Sequence, residues 1–521
     1  VLKNVATIGV WTAGSRVLGF LRDILIAAQL GTGPVADAFF VALKLPNLFR
    51  RLFGEGAFNA AFVPAFTASL AGEGAGPARR LAEEVASVMV VWLGFLTLLG
   101  LLLMPLLMHL LAPGFAADPA KFALSVALSR LTFPYLMLIC LSALLSGVLN
   151  GINRFAAAAA TPVVFNLALI GALVLVPRDL MPRGQALAVG VTVSGMAQLG
   201  LLAIALARGG MALRLRAPRL TEGVRLVLRR MGPGIVGAGV TQINVAVDTI
   251  IASLLPAGTV SVLYYADRVN QLPLGTIGTA VATALLPLLA RQVRAAAITE
   301  LRATLNQAIA LTLALTLPAA LALMLLAEPI MLALFRHGAL SGAAAAKSAA
   351  ALAAYAIGLP AFVLAKVFSP GFFARGDTKT PVKIGVIAVF LNLALNLALM
   401  HPLGYLGPPL ATSLAAFFNA GALAWLLART GHFRPDRALF ARIGRIFAAS
   451  VAMVLLLAFT GAALRAMLPG VATDPLGAIA RLAALIPLGL LAYGGAGLMF
   501  GAFDRDLLRA TLARRRLKGR G

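Results

Sequence analysis

Charge is scarce in this chain, and acid is scarcer. Of 521 residues only 12% are charged, with 18 acidic side chains against 44 basic ones. A soluble domain carries about 25% charged residues, so a soluble globular fold is excluded. Cysteine occurs once, at Cys140, which rules out an intrachain disulfide and leaves a core cysteine. The four histidines, His109, His337, His401 and His432, are scattered without metal-ligand spacing. No G-x-x-x-x-G-K-[ST] loop and no G-x-S-x-G elbow is present, so neither an NTPase nor an α/β-hydrolase has its residues here.

What the chain has is apolar length: 61% of it is hydrophobic. A helix crosses a bilayer core with about 20 apolar residues. Long Leu/Ala/Val runs without strict alternation select helices over a barrel. We read about fourteen spans, at 4–30, 35–66, 86–111, 126–150, 156–176, 186–207, 231–255, 261–290, 305–326, 346–373, 382–400, 406–428, 441–464 and 478–502. The first is too long and too charged for a cleaved signal and is expected to be a retained helix. The fold class is an all-α polytopic membrane protein: two six-helix repeats around a central cavity, plus two C-terminal helices.

A net charge of +26 would suggest nucleic acid as a partner, but its distribution does not. Counted from an inside N-terminus, arginine and lysine crowd the connections at 208–230, 291–302, 375–383 and 429–445 and the tail RRRLKGR. The opposite connections hold only Lys121, Arg178, Arg183, Arg336, Lys347, Arg465 and Arg481. That is the positive-inside pattern, with both termini in the cytoplasm. No nucleic-acid partner is expected.

The halves echo each other. GTGPVADAFFVALKLPNL (31–48) resembles PAGTVSVLYYADRVNQLPLG (256–275), and NGINRFAAAAATPVVFNLAL (150–169) resembles ARGDTKTPVKIGVIAVFLNLAL (374–395). Equivalent helices would share an orientation, a parallel repeat about the membrane normal, with the substrate site near midplane. The regions are an N-terminal six-helix lobe (1–207), a cytoplasmic amphipathic linker (208–230), a C-terminal six-helix lobe (231–430), two additional transmembrane helices (431–502) and a basic cytoplasmic tail (503–521). The linker stretch TEGVRLVLRRM is expected to lie along the cytoplasmic surface.

A charge at mid-bilayer costs roughly 2.5–3.5 kcal/mol on the lenient insertion scale. Those inside the spans therefore need a reason. They are Arg16, Arg22, Lys44, Arg50, Arg51, Arg130, Arg268 and Lys366, with Asp23, Asp37, Glu55, Asp248 and Asp267 as acids. Arg16 and Asp23 share a helix face, as do Asp37, Lys44 and Arg51, although Pro46 would kink their helix. The plain alternative is structural pairing: Arg22–Asp23, Asp267–Arg268 and Arg51–Glu55. Sequence neighbours do not face each other on a helix, so we expect the adjacent Arg–Asp pairs to serve different partners. Arg130 reads as a snorkelling residue. Arginine's planar fork matches phosphate oxygens in a bidentate way, so an anionic substrate is expected.

SRVLGFLRD (15–23), ADAFFVALKLPNLFRRLFGEGAFNAAFVP (36–64), APGF (112–115), YYADR (264–268) and TKTPVKI (378–384) resemble the MurJ/MviN family of bacterial lipid II flippases, members of the multidrug/oligosaccharidyl-lipid/polysaccharide exporter superfamily. The resemblance runs over essentially the whole chain. It implies a transporter rather than an enzyme, in the bacterial inner membrane. The implied substrate is an undecaprenyl-pyrophosphate-linked disaccharide-pentapeptide, moved from the cytoplasmic to the periplasmic leaflet by alternating access. Potential or an ion gradient would drive it. It implies substrate contacts at Arg16, Arg22, Asp23, Asp37, Arg50 and Arg268, with Lys44, Arg51, Glu55, Asp267 and Lys366 as secondary candidates. It also implies a hydrophobic tail groove toward the last two helices. Some members hold sodium, for which Asp248 and Asp377 are the nearest acids here, but Phe373 and Leu393 stand where polar ligands would be expected. No organic cofactor is expected; sodium or chloride is the candidate coupling ion. The bilayer and cell-wall synthesis or division proteins are the other partners considered. The alternatives are a multidrug/cation antiporter, which would want acidic rather than basic charges at midplane, and a non-transporting scaffold for cell-wall enzymes.

Overall fold

The structure, a computed structural model, describes residues 2–51, 58–467 and 474–503. Among these there are helices and turns but no strand. Ten apolar stretches among the described residues are long enough to cross a membrane, and the protein is a multi-pass membrane protein. Glu55 and the basic tail beyond Phe503 lie outside the described residues.

The chain forms two compact units. The first comprises residues 1–261 with 337–341, and the second 262–336 with 342–521. In the first, α1 (Leu2–Leu30) packs on α8 (Phe155–Val174), which packs on α9 (Arg183–Arg208). The second apolar span is divided into α2 (Pro34–Phe49) and α3 (Phe58–Gly72). Pro46 lies inside α2 without ending it; a π turn at Arg50 and Arg51 follows. The third span breaks at Leu103 into α4 (Ala75–Leu102) and α5 (Met104–Leu111), where Pro105 occupies the first turn. The fourth breaks at Pro134 into α6 (Pro119–Thr132) and α7 (Tyr135–Gly151). Proline cannot donate to the preceding turn, so each break falls where the ladder is already open.

The linker is where the sequence reading needs correction. TEGVRLVLRRM is not a separate surface helix: it is the first turns of α10 (Glu222–Leu254). Val224 and Val227 are buried in one cluster with Phe58, Phe62, Phe66 and Ala82. The three phenylalanines stack at successive turns, with centroids 5.1 and 5.7 Å apart. The extended segment before α10 is strapped to α4: Arg214 and Arg216 reach Glu83, the Arg216 backbone N–H donates to Ser87, and Thr221 donates to Glu84. The apolar face of the stretch is thus spent on the protein's own core.

The second unit is organised on α14 (Gly342–Phe373), which packs on α12 (Ile298–Leu325), α13 (Ala327–Phe335) and α16 (Gly407–Arg429). Gly358 permits the α14–α16 approach, since a Cβ there would lie 2.7 Å from Ser413 Oγ. Small residues at such crossings substitute for a hydrophobic driving force in lipid. α15 (Lys379–Leu403) turns into α16 through Gly404, whose φ of +55° favours glycine. α11 (Thr259–Arg294) opens this unit, and α17 (Arg437–Met467) pairs with α18 (Pro475–Met499).

Candidate functional site

α1 presents two different kinds of cation. Arg16 is exposed. Arg22 is 6% exposed and Asp23 is fully buried, and they pair with each other at 2.6 Å. This corrects the expectation that adjacent residues serve different partners. A buried carboxylate must be neutralised at once, and the guanidinium stem is long enough to fold back over one residue. Nε and Nη2 of Arg22 donate to Asp23, while Nη1 donates to Asn166 Oδ1 on α8 at 3.0 Å. The Asn166 amide in turn donates to the Ser15 carbonyl at 2.9 Å. Arg22 also lies 5.4 Å from the Phe165 ring centroid. In this conformation Arg22 bolts α1 to α8.

Asp37, in the first turn of α2, accepts four hydrogen bonds. They come from Lys121 Nζ (2.8 Å), the Gly258 and Ser261 backbone N–H groups (2.7 and 2.9 Å) and Ser261 Oγ (2.8 Å). It is 1% exposed and Lys121 6%. Lys121, read from sequence as a loop residue, sits in the first turn of α6 over the Phe115 ring at 3.9 Å. Asp37 thus ties the α1–α2 turn to the equivalent turn before α11. Its stripe-mates go elsewhere: Lys44 donates to Thr249 on α10 (3.0 Å), Arg50 donates to Asn47 (3.2 Å), and Arg51 is exposed. Glu55, the expected partner of Arg51, lies outside the described residues. Arg130 is exposed and donates to the Leu101 carbonyl beside the α4 break.

In the second unit, Asp267 accepts from Gln271. Arg268 is half-buried beside Tyr265, which is fully buried. Lys366, on α14, lies across Gly278 of α11. Asp248, on α10 in the first unit, accepts from Asn244 at 3.4 Å. Asp377 is spent on architecture, accepting the Thr380 backbone N–H at the start of α15 (3.0 Å). Its side chain's bonds with Thr380 are the main cause holding its carboxyl below the usual range. Among the described residues no three His, Cys, Asp or Glu side chains group as metal ligands. The echoed Asn-Leu-Ala-Leu places a buried asparagine in each unit, Asn166 and Asn392; Asn396 Nδ2 donates to Asn392 at 2.7 Å. An apolar cavity of about 560 Å³ lies among α12, α13, α17 and α18, with Arg465 and Arg481 in its lining. Arg481, assigned to a connection from sequence, lies within α18 and is 8% exposed.

Sequence reasoning missed Lys121 and Asn166. For Lys121 the signal was a lysine directly after an Asp-Pro helix start, with no acid on its own helix face. For Asn166 it was the echo itself, a polar residue kept inside two apolar runs.

The sequence pattern of the family described as "Lipid II flippase MurJ" matches residues 26–471. A probable lipid II flippase MurJ of Rhizobium meliloti (strain 1021) is 44% identical over 456 residues, covering 87% of this chain and 85% of that protein. One from Rhizobium tropici is 40% identical over 519 residues, covering 99% and 97%. A solved structure of lipid II flippase MurJ in an inward closed conformation superposes with a TM-score of 0.79 at 26% identity, covering 96% of this chain and 99% of that one. An inward-facing multidrug resistance MATE family transporter of the MOP superfamily shares the fold at 16% identity, with a TM-score of 0.69. These matches bear out the resemblance read from the motifs: the chain belongs to the lipid II flippase MurJ family.

Proposed function

We propose that the protein translocates lipid II, carrying its pyrophosphate-sugar-peptide headgroup from the cytoplasmic to the periplasmic leaflet of the bacterial inner membrane, with both termini in the cytoplasm. The observation that carries this reading is the family match over residues 26–471. The charge pattern supports it: the membrane-depth excess is arginine and lysine, suited to a pyrophosphate and adverse to a drug cation. No covalent bond changes, so the work is binding and conformational change. Arg16 and Arg268 are the contacts assigned to the pyrophosphate. Arg22, with Nε and Nη2 on Asp23 and Nη1 on Asn166, holds α1 against α8 and is the lesser pyrophosphate contact in this conformation. The apolar cavity beside α17 and α18 suits a polyprenyl tail.

Solved neighbours are known in inward-facing and outward-facing conformations, which supports alternating access. The membrane potential supplies direction. It is worth about 2.3 kcal/mol per charge per 100 mV, so two net charges give about 5 kcal/mol at 100 mV, near a full population inversion. Sodium coupling enters the proposal through Asp248 alone, because Asp377 caps a helix.

The test is translocation of fluorescent lipid II in proteoliposomes, with and without an imposed inside-negative potential. Arg16→Ala and Arg268→Ala should abolish it while folding is kept, and Arg268→Lys should slow it about tenfold, since a point charge cannot replace the fork. Undiminished transport in both alanine variants would exclude these contacts. Indifference to the potential would exclude the drive.

A further inference from the structure

Arg465 and Arg481 stand where basic residues are otherwise few. α17 begins with Arg437, Arg442 and Arg445 and reaches Arg465 two residues before its end. Arg445 and Arg465 are twenty residues apart, about 30 Å along a helix, which is one hydrocarbon thickness. Arg465 therefore lies at the interface opposite the basic start of α17, the periplasmic one in the orientation proposed above. Arg481 lies six residues beyond the start of α18, about 9 Å along its axis. Arginine on that side runs against the positive-inside bias and calls for a reason of its own.

Snorkelling accounts for only one of the two. Arg465 is exposed, and its stem can carry the charge to the headgroup level. Arg481 is 8% exposed, so its charge is covered by protein. Both line the cavity of about 560 Å³ among α12, α13, α17 and α18, a size usual for a small-molecule site. The rest of the lining is apolar: Gly461 and Ala462 leave the space, and Leu325 and Leu485 supply walls. On α17 the lining runs outward to Arg465, and on α18 it runs inward from Arg481. Both guanidiniums thus fall at the outer end of an apolar slot, which is the polarity of a single lipid molecule. A polyprenyl tail is uncharged and gives them no use. Arg465 repels the Arg481 charge, and Glu328, in the first turn of α13, attracts it. Two guanidiniums against one carboxylate leave one positive charge. That balances a phosphodiester, which carries a single negative charge, and under-balances a pyrophosphate. The guanidinium fork matches the two free oxygens of a phosphodiester.

We propose that Arg465 and Arg481 hold the phosphodiester of one glycerophospholipid of the periplasmic leaflet, with an acyl chain in the apolar part of the cavity. The site uses none of the cations assigned to the lipid II headgroup. It rests on the orientation proposed above and not on the identity of the cargo. Its acyl chain shares the wall that suits a polyprenyl tail, so the phospholipid keeps the cavity filled until such a tail displaces the chain.

The experiment titrates delipidated protein in detergent with phosphatidylglycerol and counts bound lipid by native mass spectrometry, with thermal unfolding followed in parallel. Diacylglycerol with the same chains and undecaprenyl phosphate are the comparison lipids. Wild type should bind one phosphatidylglycerol about tenfold more tightly than diacylglycerol, the worth of charge-assisted bonds to the phosphate. Arg465→Gln, at an exposed position, should keep the wild-type melting temperature and lose about fivefold in phosphatidylglycerol affinity; Arg465→Gln with Arg481→Gln should lose about tenfold or more. Undecaprenyl phosphate should bind both variants as it binds wild type. Arg465→Gln alone carries the test if the double variant fails to fold. Unchanged phosphatidylglycerol binding in the variants would overturn the proposal, and so would equal binding of diacylglycerol by wild type. Weakening confined to undecaprenyl phosphate would give the site to the substrate lipid, and equal weakening of both would make it a site for any lipid phosphate; either overturns the assignment to a glycerophospholipid. The leaflet is read separately. Cys140 is buried, so Met467→Cys adds an exposed thiol, which should react with a membrane-impermeant maleimide from the periplasmic side of spheroplasts. Reaction only from the cytoplasmic side would overturn the leaflet and the orientation, while the phosphate contact is judged by the titration.

Discussion

Asp37 with Lys121 in the first unit and Lys366 in the second show two ways of keeping charge inside a membrane. Asp37 is surrounded by four donors and Lys121 is held against an aromatic face. Lys366 lies across Gly278 and has no hydrogen bond or ion pair among the described residues. The first is charge used as a joint, closed within the protein. The second is charge set against a glycine, with no such closure among the described residues. A buried pair is costly to break, because removing one member strands the other. Removing a cation that pairs with nothing strands no other charge.

The contrast is broken most directly at the joint. Asp37→Ala strands Lys121 and should destabilise by about 3–5 kcal/mol, read as a large drop in detergent melting temperature or loss of folded protein. Asp37→Ala with Lys121→Met should recover part of that stability; a double variant no better than the single would show that Lys121 is not the stranded charge. A smaller effect is expected at the other buried carboxylate. Asp23→Asn keeps one acceptor for Arg22 and leaves its Asn166 bond intact, so about 1–3 kcal/mol is expected. A cost equal to that of Asp37→Ala would erase the distinction between a carboxylate paired with its sequence neighbour and one joining two turns.

The smallest effect is at His432, in the connection after α16. Its Nδ1 faces Arg375 Nη1 at 2.8 Å and must accept, so the ring is neutral. Burial, then Arg375, holds its pKa below the usual value, with Arg302 adding to the effect and a Thr430 backbone bond opposing it. The native state therefore binds the proton less well than the unfolded chain. This contribution is fully present above the unfolded value of about 6.5 and is lost as pH falls through the lowered native one. Melting followed between neutral and mildly acidic pH should show a shallow decline that His432→Gln removes. An unchanged slope in that variant would assign the decline to another group.

Much of this architecture was legible before any coordinates. Apolar length located the long helices, ten of which among the described residues are span-length, and the glycine and proline punctuation of 31–48 and 256–275 located the turns that begin α2 and α11. Two things were not legible, for physical reasons. Whether Arg22 folds back on Asp23 depends on how deeply Asp23 is buried, which helix spacing alone does not report. The partners of Asp37 lie 84 and more than 220 positions away, and two of its four donors are main-chain amides without side-chain identity. The linker was misread because an amphipathic pattern states that one face is apolar, not what covers it.

The main-chain half of the Asp37 joint has a consequence for how the protein tolerates change. Ser261 can be replaced at the cost of a single hydroxyl, because its amide stays whatever side chain it bears. Gly258 is constrained by its backbone, at φ +91°, rather than by chemistry. The mutational target that dismantles the joint is therefore small, essentially positions 37, 121 and 258, and random substitution across the long turns that it fastens should leave it standing.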